Sequence, residues 1–470
     1  MLKVIKWRLF WIFGFIFCNL VVQAQEPDST ILSYEEYLIN ILNYHPVAKR
    51  ANLKLELADL EWLSAKGNLD PTIDTDWNQK SFDDKRYYRI FRNRLRVPTK
   101  YGVAFVAGYE NTEGIFLNPE DKTDKFGLWN IGIEVDILQG LLVNERRIAL
   151  DQASVMQDMA LNQQQILLNE LLYTASEAYL EWQKYFYIQS VLLENEVLAA
   201  AYLENTKQSF FGGEKTAMDT LEAFILLQDA VSLTNYNDLE LQNSRQMLEN
   251  FLWFNELPLE LQITTKPDDY QREMFTVTDV RNIRELARTN PLILEKINKQ
   301  SLYELELRLK REKLKPKLKA KINPLIATNN NLIPRYNASD YKLGFEFSMP
   351  LFLRSERADV KMGEIKIQDG ALDIQNKQNE LLNKIESNLL KQVILRDQVA
   401  LVAQNVEGYK QLLDGENEKF FFGESSVFLL NKRQEKYIDG RIKLIELNLK
   451  LNSVLLKYLY FINDLIRNGD

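Results

Sequence analysis

The chain holds little with which to do covalent chemistry. His45 is its only histidine and Cys18 its only cysteine. A Ser-His-Asp triad, or a metal held by imidazole or thiolate, needs such groups converging in a cleft. His45 instead stands directly before Pro46, as Asn290 stands before Pro291. A polar residue followed by proline marks a helix start, with proline as the first helical residue. The expectation is therefore a non-enzyme with no cofactor and no metal. What remains is charge set out by spacing. Asp219 and Glu222 fall one helical turn apart, on one face. Lys313, Lys315, Lys317, Lys319 and Lys321 alternate with Leu314, Pro316, Leu318, Ala320 and Ile322. That alternation gives a strand with one wet face and one apolar face.

The elements that must position these charges occur twice. Phe210 to Ala223 reads FFGGEKTAMDTLEA, and Phe420 to Arg433 reads FFFGESSVFLLNKR. Phe210 and Phe211 match Phe420 and Phe421, Gly213 matches Gly423, and Thr216 matches Ser426. Glycine where a helix must end, followed by a hydroxyl that can cap the next helix, predicts a helical hairpin turn. Pro46 and Pro71 return at one common offset as Pro291 and Pro316, and IGIEVDI (131–137) returns as LGFEFSM (343–349). The chain is thus two copies of one unit. The expected first repeat covers 33–256, with strands in 71–137 and a long hairpin over 142–253. A linker follows over 257–276. The second repeat covers 277–466, with strands in 313–350 and a hairpin over 356–466.

The long helices are legible from heptads. Leu161, Leu168, Ala175 and Trp182 recur every seven residues, as do Leu171, Ala178, Tyr185 and Leu192, predicting a coiled-coil seam. Ser33 and Glu36 have capping-box spacing, and Leu53, Leu57, Leu60 and Leu63 have helical spacing. In the strand regions, Asp74 and Asp76 oppose Ile73 and Trp77, Glu134 opposes Ile133 and Val135, and Glu346 opposes Phe345 and Phe347. Four strands stand out by alternation. Tyr87–Val97 and Val103–Tyr109 also have strand character, which leaves open whether residues 87–109 add to the sheet.

Among 470 residues 46% are hydrophobic and 26% charged, which excludes bulk disorder. A net charge of −8 gives no reason to expect a nucleic-acid partner. Residues 1–24 read as a secretory signal peptide, with Lys3, Lys6 and Arg8 ahead of an apolar run ending at Ala24. No later segment is long and apolar enough for a membrane helix. Amphipathic strands in a bilayer must close into a barrel, and four per chain are too few, since membrane barrels begin at about eight. Copies of the chain would have to pool their strands.

In this order and duplication the residues resemble the TolC-like outer-membrane efflux proteins. The matching features are the signal peptide, the His-Pro and Asn-Pro helix starts, the strands after Pro71 and Pro316, Glu145-Arg146-Arg147, and the G-x-x-[ST] turns. The resemblance implies a mainly α chain with a membrane β-barrel, built as a two-fold repeat of long antiparallel coiled-coil hairpins. About four strands per chain would complete a twelve-stranded barrel shared by a homotrimer. It also implies the outer membrane and periplasm of a Gram-negative bacterium. The implied partners are outer-membrane lipid, a periplasmic adaptor (membrane fusion protein) and an inner-membrane pump or ABC exporter.

By the same resemblance the hairpin tips form a periplasmic gate. Our own expectation, beyond the resemblance, is that Asp219 or Glu222 of one hairpin pairs with Lys432 or Arg433 of a neighbouring one and keeps the tip shut. A solvated helix face is the plainer alternative. The second turn departs from the family, with Leu429 and Lys432 where acids often stand. Asp74, Asp76, Glu134, Lys317, Lys319, Lys321 and Glu346 would line the barrel lumen. The competing whole-chain reading is a soluble periplasmic coiled-coil scaffold or adaptor, which leaves the amphipathic strands without a purpose.

Overall fold

The computed structural model describes residues 31–275, 282–328 and 334–466. The expected signal peptide and the start of the expected second repeat lie outside them. Helices α1 (Tyr34–Tyr44) and α2 (Pro46–Gly67) lead to strands β1 (Thr72–Phe82), β2 (Lys85–Pro98), β3 (Val103–Glu113) and β4 (Leu128–Asp136). The first hairpin is α3 (Glu145–Phe211) and α4 (Ala217–Glu249). After α5 (Ile283–Arg288), helix α6 (Pro291–Glu312), strands β5 (Lys317–Thr328) and β6 (Pro334–Ser348), and the hairpin α7 (Arg354–Phe421) and α8 (Val427–Ile462) repeat the plan. At 1.5 Å per residue α3 and α7 are each about 100 Å long.

The helix starts follow the local chemistry read from the sequence. His45 Nδ1 accepts from the Val47 N–H (3.2 Å), and Asn290 Oδ1 from the Leu292 N–H (3.0 Å), each one residue before an N1 proline. Ser33 and Glu36 form the capping box on α1. Asn290 does a second job by donating to the Phe461 carbonyl at 2.8 Å, which ties α6 to α8.

The core lies where the two repeats meet. Tyr37, Leu172, Ala175, Tyr179, Ile445, Leu455 and Leu456 are fully buried there. Tyr34 shares a 2.6 Å hydrogen bond with Ser176, and Tyr37 donates to the Ala175 carbonyl. The expected linker is strapped onto α3, since Gln183 and Tyr187 both donate to the Asp268 carbonyl. The heptad seam is narrower than the sequence suggests. Leu161 is half exposed, whereas Leu171, Ala175, Trp182 and Leu192 are buried.

The expectation of about four strands is corrected by the structure. Among the described residues six strands form one sheet in strict sequence order, every neighbour antiparallel. The added pair is β2 and β3. A two-residue turn at Asp83-Asp84, both at positive φ (55° and 49°), joins β1 to β2, as tight hairpins require. A second, smaller correction concerns Lys313 and Lys315. Lys313 caps α6, and Lys315 pairs with Glu312 at 2.7 Å, so both lie before β5.

Candidate functional site

The two hairpin tips have one backbone design. Gly213 (φ 80°) and Gly423 (φ 78°) sit in the left-handed region that glycine reaches without cost. In each, the glycine N–H returns to the carbonyl three residues back (Phe210 or Phe420), and the next N–H reaches five back (Ser209 or Lys419). That is a Schellman ending. Thr216 and Ser426 then cap α4 and α8 through Asp219 N and Leu429 N.

The tips of one chain touch. Tyr202 meets Phe420 with ring centroids 5.9 Å apart, and Lys215 Nζ lies 4.7 Å over the Phe420 ring. Tyr202, Leu203 and Ala223 of the first hairpin pack with Leu413, Val427 and Leu430 of the second. Phe420 is therefore a packing residue, while Phe211 and Phe421 are each 84% exposed. Sequence reading missed Lys215 and Tyr202. Nothing in their local spacing announces a contact made between repeats.

Three of the four expected gate residues, Asp219, Lys432 and Arg433, have partners inside their own hairpins. Asp219 accepts from the Thr216 N–H (2.8 Å) and hydroxyl (2.7 Å), completing a capping box. Those bonds, the backbone one foremost, hold its carboxyl below the usual aspartate range. Lys432 pairs with Glu435, and Arg433 lies 3.7 Å from the buried Glu416. Among the described residues no ion pair joins Asp219 or Glu222 to Lys432 or Arg433 of the same chain.

The sheet is the second site. Its register puts Ile73 and Trp77, Phe91 and Leu95, Phe105 and Tyr109, Trp129 to Ile133, Ile322, and Leu343 to Phe347 at matching alternate positions on one face. Ile73, Trp77, Phe105, Ile131, Leu343, Phe345 and Phe347 are all more than half exposed. The opposite face carries every sequence-predicted wall residue: Asp74, Asp76, Glu134, Lys317, Lys319, Lys321 and Glu346. Arg92, Arg94 and Arg96 join them there. Glu134 is 6% exposed and holds both Arg94 and Arg96, the latter at 3.3 Å. Arg92 pairs with Asp121 (2.8 Å), Lys342 with Glu110 (2.8 Å), Lys321 with Glu346 (3.8 Å) and Lys319 with Asp136 (3.9 Å). Acid and base thus alternate across the strands. Among the described residues no three His, Cys, Asp or Glu side chains converge as a metal site would, and no helix is long and apolar enough to cross a membrane.

No known family's sequence profile matches the chain, and no curated protein sequence does either. Solved structures do match. The outer membrane channel CmeC of Campylobacter jejuni is 11% identical, with 91% of this chain and 85% of that one covered at a TM-score of 0.65. A membrane protein from Pseudomonas aeruginosa is 14% identical, with 92% and 93% covered at 0.67. The outer membrane protein VceC of Vibrio cholerae is 13% identical, with 91% and 95% covered at 0.64. The fold is that of outer-membrane channel proteins. Among these it is the TolC-like fold, as the duplicated hairpins and strands indicate.

Proposed function

We propose that the chain is an outer-membrane duct. Copies of it would form a ring that passes substrates outward from an inner-membrane pump and a periplasmic adaptor, without catalysis. The observation that carries this reading is the sheet, which has one largely apolar exposed face, one face of alternating charge and, among the described residues, two unpaired edges. In water an apolar face of this extent is a liability. In lipid it is a requirement, provided the edges close.

The helical layer supports a ring. Beside the sheet the packing order is α2, α3, α6, α7, and towards the tips it is α4, α3, α8, α7. Both rows end in exposed apolar side chains. Leu53, Leu57, Leu60 and Leu63 of α2, and Met218, Leu221 and Ile225 of α4, form one margin. Ile365, Leu372, Leu390, Ile394 and Leu401 of α7 form the other, all half or more exposed. A head-to-tail contact between unlike margins builds a closed ring when the rotation closes. The resemblance supplies the number three. The tips, with Phe211 and Phe421 outermost, would be the gate and the surface that an adaptor meets.

The test is fractionation followed by electrophysiology. A trimer recovered from outer membranes, forming channels in planar bilayers, supports the duct. A soluble monomer with no conductance refutes it and favours the scaffold.

A further inference from the structure

We propose that all six strands enter the shared barrel, with the free edge of β1 hydrogen-bonded to the free edge of β6 on the next copy of this chain. Each copy then contributes six strands, and three copies close an eighteen-stranded barrel where the resemblance implies twelve. The inference rests on the duct reading above.

The β1–β2 hairpin cannot be an appendage, for three reasons. β2 is paired to β3 from Arg89↔Glu113 to Pro98↔Ala104. Arg94 and Arg96 of β2 also reach across β3 to Glu134 of β4. Ala104 and Val106 of the intervening β3, on the same charged face, are 2% and 3% exposed. Finally, the apolar face does not stop at β3. Phe91 and Leu95, then Trp77 and Ile73 opposite them in register, extend it to the edge.

The occupant of both edges follows from direction. β1 leaves the helical end of the sheet and β6 returns to it, so in consecutive copies the two run antiparallel, like every pair within the chain. An even number of strands per copy lets the ring close with no parallel pair. β1 has 11 residues and β6 has 15, against the roughly 9–11 that a tilted membrane strand needs. Left bare in lipid, each edge would strand a row of N–H and C=O groups. Barrel diameter grows roughly linearly with strand number, so the pore would be about half as wide again as one of twelve strands.

Cysteine pairs test this, because Cys18 is the only native cysteine. In a Cys18→Ser chain, Thr75→Cys on β1 is combined in turn with Gly344→Cys, Phe345→Cys, Glu346→Cys and Phe347→Cys on β6. A parallel series uses Ala107→Cys on β3. Membranes are oxidised and chain-linked multimers read on denaturing gels. Linkage in the β1–β6 series with none in the β3–β6 series is the expected result. Linkage through β3 alone overturns six strands per copy and leaves a four-strand duct standing. No linkage in either series overturns the inference too, and a chain then absent from the outer membrane removes the duct with it. Electron cryomicroscopy of the unmodified oligomer counts the strands directly and needs no variant to fold. Twelve would end the proposal.

Discussion

Gln434 donates from Nε2 to Asn195 Oδ1 at 2.9 Å, and this buried pair joins α8 of one hairpin to α3 of the other. Arg441 adds a 2.6 Å bond to Glu194 across the same boundary. Removing one member of a buried pair strands the other, which costs about 1–3 kcal/mol. Gln434→Leu should therefore lower the thermal unfolding midpoint of the purified protein, and Asn195→Leu with Gln434→Leu should recover part of the loss. A single variant as stable as the parent would show that the contact contributes nothing.

His45 makes stability depend on pH. Burial lowers its pKa, and its Nδ1 must be unprotonated to accept from Val47. The unfolded imidazole titrates near 6.5, so at lower pH the unfolded chain binds the extra proton first. The cap's contribution is therefore present above about pH 6.5 and is lost as pH falls through the folded value. His45→Asn copies the Asn290 cap with a side chain that does not titrate. Its unfolding midpoint should vary less between about pH 5 and 7.5 than the parent's, and parallel curves would refute the assignment.

Asp219 works on its own helix first. With its carboxylate bound to Thr216, Asp219→Ala should cost about 1 kcal/mol locally, as lost caps do. The readout is faster amide exchange over the first turn of α4. The folded pKa is depressed, so this protection is present above the unfolded carboxyl value of about 3.9 and fades as pH drops through the folded one. Conductance is a separate measurement. A gate role requires Asp219→Ala to open the resting channel, whereas a cap alone leaves it shut.

These caps and turns were legible in the sequence because they are local. Gly213, Thr216, His45 and Ser33 act on residues within a few positions. The strand number was not legible, for a non-local reason. In its first half the charged face of β3 is Ala104, Val106 and Gly108, small where arginines from β2 reach across the strand to Glu134. VAFVAG therefore reads as a plain apolar run rather than an alternation. β2 blurs the pattern from the other side, with Ile90 among the charges and Arg89 in line with Phe91. The Phe420–Lys215 contact was hidden in the same way, since its partners come from different repeats.

The charged face gives a test by sign. Lys319 lies 3.9 Å from Asp136 and directly opposite Glu346 in register. Lys319→Glu would place three carboxylates together and make the wall locally acidic. Glu134→Gln does the reverse, because Arg94 and Arg96 lose the carboxylate that neutralises them. If this face lines the ion path, the first variant should shift the reversal potential in a potassium chloride gradient towards cation preference and the second towards anion preference. The shifts should shrink at high salt, where screening shortens to a few ångströms. Opposite substitutions giving opposite signs cannot come from general damage to the barrel. Two channels indistinguishable from the parent would mean that ions pass elsewhere.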